Sequence, residues 1–280
     1  MNFIDTNNKF KIHETCPSEF LYEYENIEYP SPIKVTYYSK TTNSNRPLNI
    51  ILPKNYNKNK KYPVLYLLHG LFGDEDSLID EDLGLINIVT NLIDDELIKE
   101  IIIVFPNEYA PEEGKRVMAT VCKEYFDGYD NFIYDLINDI MPYMESNYAV
   151  AVGRENTAIA GFSMGGRNSL YIGYKRPDLF GYVGAFSPAP GVVPGKDYNG
   201  VHEGLFSKDE FRANTPLIVS LICCGTKDTV VGNFPRSYHQ ILTKNNQKHI
   251  WFEIPEADHD YKAITSGFYN FLTIAFSKLD

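Results

Sequence analysis

The sequence predicts an α/β fold, with a mostly parallel central sheet, helices on both faces and antiparallel strands at the N-terminal edge. Three observations predict it. Continuous apolar runs bounded by Gly or Pro recur from residue 64 onward, as in strands covered on both faces. The segments between them carry a helical period, so strands and helices alternate as in right-handed crossover units. Before residue 62 the texture differs: patches such as KVTYY and LNIIL suit antiparallel strands entering a sheet.

Taken in order, the buried strands are expected at 64–68 (VLYLL), 101–105 (IIIVF), 157–161 (TAIAG), 182–186 (YVGAF), 217–224 (LIVSLICC) and 250–254 (IWFEI). Helices are expected over Leu85 to Leu97, Asp130 to Glu145, Met164 to Lys175, Phe234 to Asn245 and Tyr261 to Leu279. In the second of these, Phe132, Leu136 and Ile140 recur every four residues and Ile133, Ile137 and Met141 widen the stripe, a face for the core. Pro142 should kink or loosen that helix near its end. Residues 106–129 and 187–206 show no clear period and read as long loops after strands, where open sheets of this class place ligands. No repeat, low-complexity segment or linker interrupts the pattern, so residues 1–280 are read as one domain.

Composition narrows the function. A formal charge of −11 opposes a nucleic-acid partner, because no basic stripe offsets the carboxylates, and Lys58 to Lys61 reads as a solvated loop. No stretch approaches the ~20 apolar residues of a membrane span. The start, MNFIDTNNKFKIHETC, lacks the charged and apolar regions of a signal peptide; a cytosolic chain, or a secreted one without its leader, would both read this way. Cys16, Cys122, Cys223 and Cys224 show no C-x-x-C spacing, so no metal or thioredoxin-type site is expected. Cys223 and Cys224 read as buried thiols, while a Cys16 to Cys122 bridge stays open for an oxidising compartment.

The chemistry centres on Gly161-Phe162-Ser163-Met164-Gly165, a G-x-S-x-G with a strand before it and a helix after it. A serine there is either an ordinary helix cap or a nucleophile presented on a tight strand-to-helix turn, with glycines two residues to either side because the backbone leaves no room for a side chain. A nucleophilic serine needs a base, and histidine titrates near neutral pH. Of the downstream histidines, His239 lies in a helical pattern and His249 at a strand start; His259 follows the last strand and is favoured, with His202 in the 187–206 loop as its rival. The DHD around His259 offers no third ligand group for a metal. Asp228, directly after LIVSLICC, is the favoured carboxylate to orient the imidazole, ahead of Asp209, Glu210, Glu256 and Asp258. For the oxyanion, the Met164 N–H follows the serine and the Leu71 N–H follows His69-Gly70 in LYLLHGLFGD, with His69 itself read as a turn residue.

Together YPVLYLLHGLFGDEDS, DGYDNFIYDLINDIMPYMESNYAV, AIAGFSMGGRNSLYIG, ICCGTKDTVV and EADHDYKAITSGFYNFL resemble the esterase D-type α/β-hydrolases, and within them the carbohydrate esterase family 1 feruloyl esterases. The likeness covers roughly residues 33 to 276, five blocks in one order. The resemblance implies the α/β-hydrolase fold and cofactor-free hydrolysis, through an acyl-enzyme, of feruloyl or related hydroxycinnamoyl esters, small or borne on plant cell-wall arabinoxylan. It implies Ser163, Asp228 and His259 as the triad, Leu71 and Met164 as oxyanion donors, and secretion. This chain departs at Leu78, where relatives often carry Trp, and in a longer 106–129 loop, so ring and sugar contacts do not carry over. Phe126 and Tyr129 could stack on an aromatic acid or a sugar, although burial in the core is the simpler role for either. An acetylxylan esterase, an S-formylglutathione hydrolase and a non-catalytic carbohydrate-binding module are the alternatives.

Overall fold

The computed structural model describes residues 11–197 and 200–278; the first ten residues, whose composition bears on a leader, and Leu279, the expected helix end, lie outside them. Strands β1 (Ile33–Ser39) and β2 (Ser44–Ile51) are followed by β3 (Val64–Leu68), β4 (Ile102–Pro106), β5 (Thr157–Phe162) and β6 (Tyr182–Phe186). After these come a short hairpin, β7 (Gly195–Asp197) and β8 (Gly200–His202), then β9 (Val219–Gly225) and β10 (Ile250–Ile254). Among the described residues, eight strands form one sheet in the order β1-β2-β4-β3-β5-β6-β9-β10. From β4 to β10 all neighbours pair in parallel, while β1 and β2 run antiparallel and join at β4. The fold is thus the α/β-hydrolase architecture expected.

Among the described residues the α-helices are α1 (Leu85–Asp94), α2 (Lys123–Asp130), α3 (Phe132–Asp135), α4 (Met141–Asn147), α5 (Met164–Lys175), α6 (Phe234–Lys244) and α7 (Tyr261–Ala275). The continuous apolar runs are explained by two cores, one on each face. Strands β3, β4 and β9 bury every residue. Val64, Tyr66 and Leu68 share one core with Ile102, Val104 and Leu170, the last on α5 (Met164–Lys175). Leu65 and Leu67 share the other with Ile103, Ile88 and Phe271, the latter two on α1 (Leu85–Asp94) and α7 (Tyr261–Ala275). Alternation along each strand sends successive side chains to opposite helix layers.

The expected helix over 130–145 is present with an altered interior. Short α-helical turns (Phe132–Asp135 and Met141–Asn147) flank a π-helical segment, Leu136–Ile140. Pro142 lies two residues beyond that wide segment; its missing N–H and the bulk of its ring against the preceding turn account for the loosening. Phe132, Leu136 and Ile140 are fully buried, as the stripe requires. Within 106–129, however, a helix that the sequence pattern does not announce begins at Lys123 and runs to Asp130. Its Gly128 reads as a helix weakener, yet a side chain there would strike the Tyr109 ring at 2.4 Å.

Two chain directions part at β3, which pairs with β4 on one side and β5 on the other. A crevice therefore opens beyond the carboxyl ends of β3 and β5, the place where doubly wound sheets hold ligands.

Candidate active site

Ser163 follows β5 and occupies the cap position of α5, but it is not an ordinary cap. Its φ is 57° and ψ −114°, and its side chain makes no capping hydrogen bond. By contrast Asp260, at the start of α7, accepts a hydrogen bond from the Ala263 N–H at 3.0 Å. The serine backbone is pinned in its left-handed conformation: its N–H donates to Phe186 O at 2.9 Å, and its carbonyl accepts from Ala189 N–H at 2.9 Å and Arg167 N–H at 3.0 Å. A non-glycine residue held there stores strain that the surroundings must over-determine. The flanking glycines have a steric cause. A Cβ on Gly165 would lie 2.3 Å from Leu68 O, and one on Gly161 2.5 Å from the Gly165 carbonyl carbon.

The expected base and carboxylate meet. His259 Nδ1 donates to Asp228 Oδ2 at 2.9 Å, which leaves Nε2 with a free lone pair. Asp228 Oδ1 accepts from the Val230 and Val231 N–H groups, both at 3.1 Å. Burial alone would raise the Asp228 pKa; the hydrogen bond and charge of His259, with the Val231 N–H, outweigh it and hold the carboxyl below its usual range. The imidazole packs on Phe162, the residue before Ser163, with ring centroids 4.4 Å apart. Among the described residues no hydrogen bond joins the Ser163 hydroxyl to His259; such contacts commonly tighten only when substrate binds.

The loop after β3 lies against the serine, with Gly70 so close that a Cβ on it would stand 3.5 Å from Ser163 Cβ. In that loop the Phe72 N–H donates to Tyr129 Oη at 3.0 Å and the Gly73 N–H to Gly70 O at 3.1 Å. Leu71 lies between Gly70 and Phe72, and Met164 is the first residue of α5.

Behind this loop is a buried network that the sequence reading missed. His69 Nε2 accepts from the Glu108 N–H at 3.0 Å while Nδ1 contacts Gly70 O at 2.7 Å, which fixes a neutral imidazole protonated at Nδ1; burial pushes its pKa down accordingly. Glu108 is itself fully buried. Burial drives its pKa well above the carboxylate range against the Asn168 hydrogen bond and the Arg167 charge. Asn168 Nδ2 donates to Glu108 Oε2 at 2.9 Å and to Tyr129 O at 3.1 Å, and Arg167 pairs with Asp130 at 2.6 Å. The signal in the sequence was position: Glu108 lies two residues past the end of a strand and Asn168 one turn past the elbow.

The other candidates are occupied elsewhere. His202 lies in β8, edge-on to Phe234 at 5.5 Å. His239 and His249 hydrogen-bond to each other at 2.8 Å. Glu256 pairs with Lys227, Glu210 accepts from Ser207, and Asp258 accepts the His259 N–H at 2.8 Å. Tyr129 is buried and Phe126 packs with it, Tyr109, Tyr125 and Met164, so both belong to an aromatic core cluster. All four cysteines are free thiols. The bridge left open between Cys16 and Cys122 is absent because the two lie in different cores, Cys16 against α7 and Cys122 beside the aromatic cluster.

Comparison with known proteins gives a consistent identity. The esterase family, described as Putative esterase, matches residues 39–266. A CE1 ferulic acid esterase of Anaeromyces mucronatus, solved with ferulic acid, is 57% identical, with a TM-score of 0.95 over 97% of this chain and 100% of that one. An endo-1,4-beta-xylanase/feruloyl esterase of Xylanibacter ruminicola is 32% identical over 169 residues, 58% of this chain and 22% of that protein. Endo-1,4-beta-xylanase Y of Acetivibrio thermocellus is 28% identical over 206 residues, 65% of this chain and 17% of that protein. The chain spans about a fifth of the length of these two curated relatives. With the family matched across most of its length and a near-complete structural likeness at 57% identity, the chain belongs to the esterase family and, within it, to the CE1 ferulic acid esterases.

Proposed function

We propose that the chain hydrolyses feruloyl and related hydroxycinnamoyl esters of arabinoxylan through an acyl-enzyme on Ser163. The observation that carries the reading is a serine at a helix start that does no capping, held at φ 57° beside a hydrogen-bonded Asp228–His259 pair. In this mechanism His259 Nε2 takes the hydroxyl proton as Ser163 Oγ attacks the ester carbonyl. Asp228 holds the imidazole in the accepting tautomer and stabilises the imidazolium. The N–H groups of Met164 and Leu71 receive the oxyanion, each donor worth about 3–4 kcal/mol in such sites. The sugar alkoxide leaves with the proton from His259, and water, activated by the same base, releases the hydroxycinnamic acid.

The substrate class is supported by the ferulic acid esterase at 57% identity, whose structure holds ferulic acid, and by the curated relative named for both xylanase and feruloyl esterase activities. Secretion is part of the same proposal, since a polymeric plant-wall ester lies outside the cell that degrades it. Rates on methyl ferulate, p-nitrophenyl acetate and S-formylglutathione test the assignment. A large preference for methyl ferulate is expected; a large preference for either other ester would replace it with an acetyl-ester or S-formylglutathione reading.

A further inference from the structure

The hollow that contains His259 does not end at the catalytic residues. A cleft of about 690 Å³ is lined by Leu71, Phe72, Leu78, Phe162, His259 and Tyr261. A second hollow of about 710 Å³ adjoins it, with Tyr22, Glu23, Glu81, Asp82 and Asn87 along its walls. Leu83, Tyr261 and Lys262 line both, so the two hollows adjoin along a shared wall, and the pair is called the trough below. Three large aromatic side chains stand exposed along it, Phe72 (52%), Tyr261 (59%) and Tyr22 (70%). Phe72 is held there at φ 67° by the Tyr129 hydroxyl on its N–H and by a stacked Tyr125 ring at 5.5 Å. A non-glycine residue held at positive φ stores backbone strain that its surroundings must over-determine.

We propose that this trough binds the neutral polysaccharide backbone that carries the ester, with Tyr261 and Tyr22 as stacking platforms for successive sugars beyond Phe72. The proposal rests on the esterase reading and extends it to the alcohol half of the substrate. His259 protonates the departing alkoxide, so the polymer bearing that oxygen must lie on the imidazole side of the serine. The trough begins there. Sugar rings present C–H faces to aromatic rings and hydroxyls to acceptors, and both are supplied in series. Glu23, Glu81 and Asp82 accept hydroxyl hydrogen bonds and repel a polyuronate, while the Lys262 ammonium is turned to Pro255 O at 2.6 Å. A neutral chain is therefore favoured over an acidic one.

Tyr22→Ala and Tyr261→Ala test this, both at exposed positions where truncation leaves the core intact. Methyl ferulate has no sugar and a feruloylated arabinoxylan oligosaccharide has several. The ratio of kcat/KM on the oligosaccharide to that on methyl ferulate is expected to fall about tenfold in each variant, the scale of one aromatic contact, and through KM. An unchanged ratio overturns the proposal. Affinity electrophoresis in an arabinoxylan gel reads the trough without turnover: the wild type is expected to be retarded and the variants released. Equal mobility of all three overturns the proposal, whereas a wild type that is retarded yet hydrolyses no hydroxycinnamate ester overturns only the esterase reading.

Discussion

Ser163 sits where a helix would ordinarily be capped and declines the role. Replacing it with Ala should lower kcat on methyl ferulate about 10⁴-fold or more while leaving the melting temperature near that of the parent, because no capping hydrogen bond is lost. A steady-state assay alongside a thermal melt checks both. Asp228→Asn keeps the shape of the carboxylate but offers His259 the wrong partner, and kcat should fall about 10⁴-fold. Glu108 behaves in the opposite electrostatic sense. Its folded pKa is raised by burial, so the folded state holds a proton that the unfolded chain releases above about pH 4.3. Its contribution to stability therefore declines as pH rises from there toward the folded pKa. Glu108→Gln, which keeps the acceptor for Asn168, should gain in melting temperature relative to the parent as pH rises from 4 to 7. A parent that gains on the variant over that range would contradict the neutral buried acid.

At the scale of elements, the elbow is a contact between the start of α5 and the end of β3. Gly165→Ala would drive a methyl group into Leu68 O, a backbone atom with no rotamer to escape into. A loss of stability of about 1–3 kcal/mol and a larger loss of activity are expected from denaturant unfolding and steady-state kinetics. This elbow was legible in the sequence because G-x-S-x-G, the strand before it and the helix after it agree. So were the long apolar strands and the pairing of Asp228 with His259, since each is a local pattern joined to chain order. The helix Lys123–Asp130 was not, because KEYFDGYD has few apolar residues and a glycine that serves Tyr109 rather than the helix. The Glu108, His69 and Asn168 network was hidden for another reason. A buried carboxyl is meaningful only through what surrounds it, and its partners come from two distant places, the loop after β3 and the first turns of α5.

For the molecule as a whole, two cores on opposite faces of one sheet support the site without a covalent staple. Thiol chemistry should follow: reducing agent should leave the melting temperature unchanged, and a thiol reagent should label Cys122 first. Cys16 and Cys224 are buried, with pKa values pushed up to about 12 by that burial. A drop in melting temperature on reduction would reveal a bridge that this fold does not form. The excess of carboxylates, −11 in formal charge, suits an uncharged polymer and disfavours polyanions over the surface as well as in the trough.

The whole account depends on a covalent intermediate at one oxygen. Mass spectrometry of acid-quenched protein during methyl ferulate turnover, with peptide mapping, tests it most directly. The account predicts a single feruloyl adduct on Ser163 that is absent from Ser163→Ala; ferulate release with no such adduct, undiminished in Ser163→Ala, would contradict it.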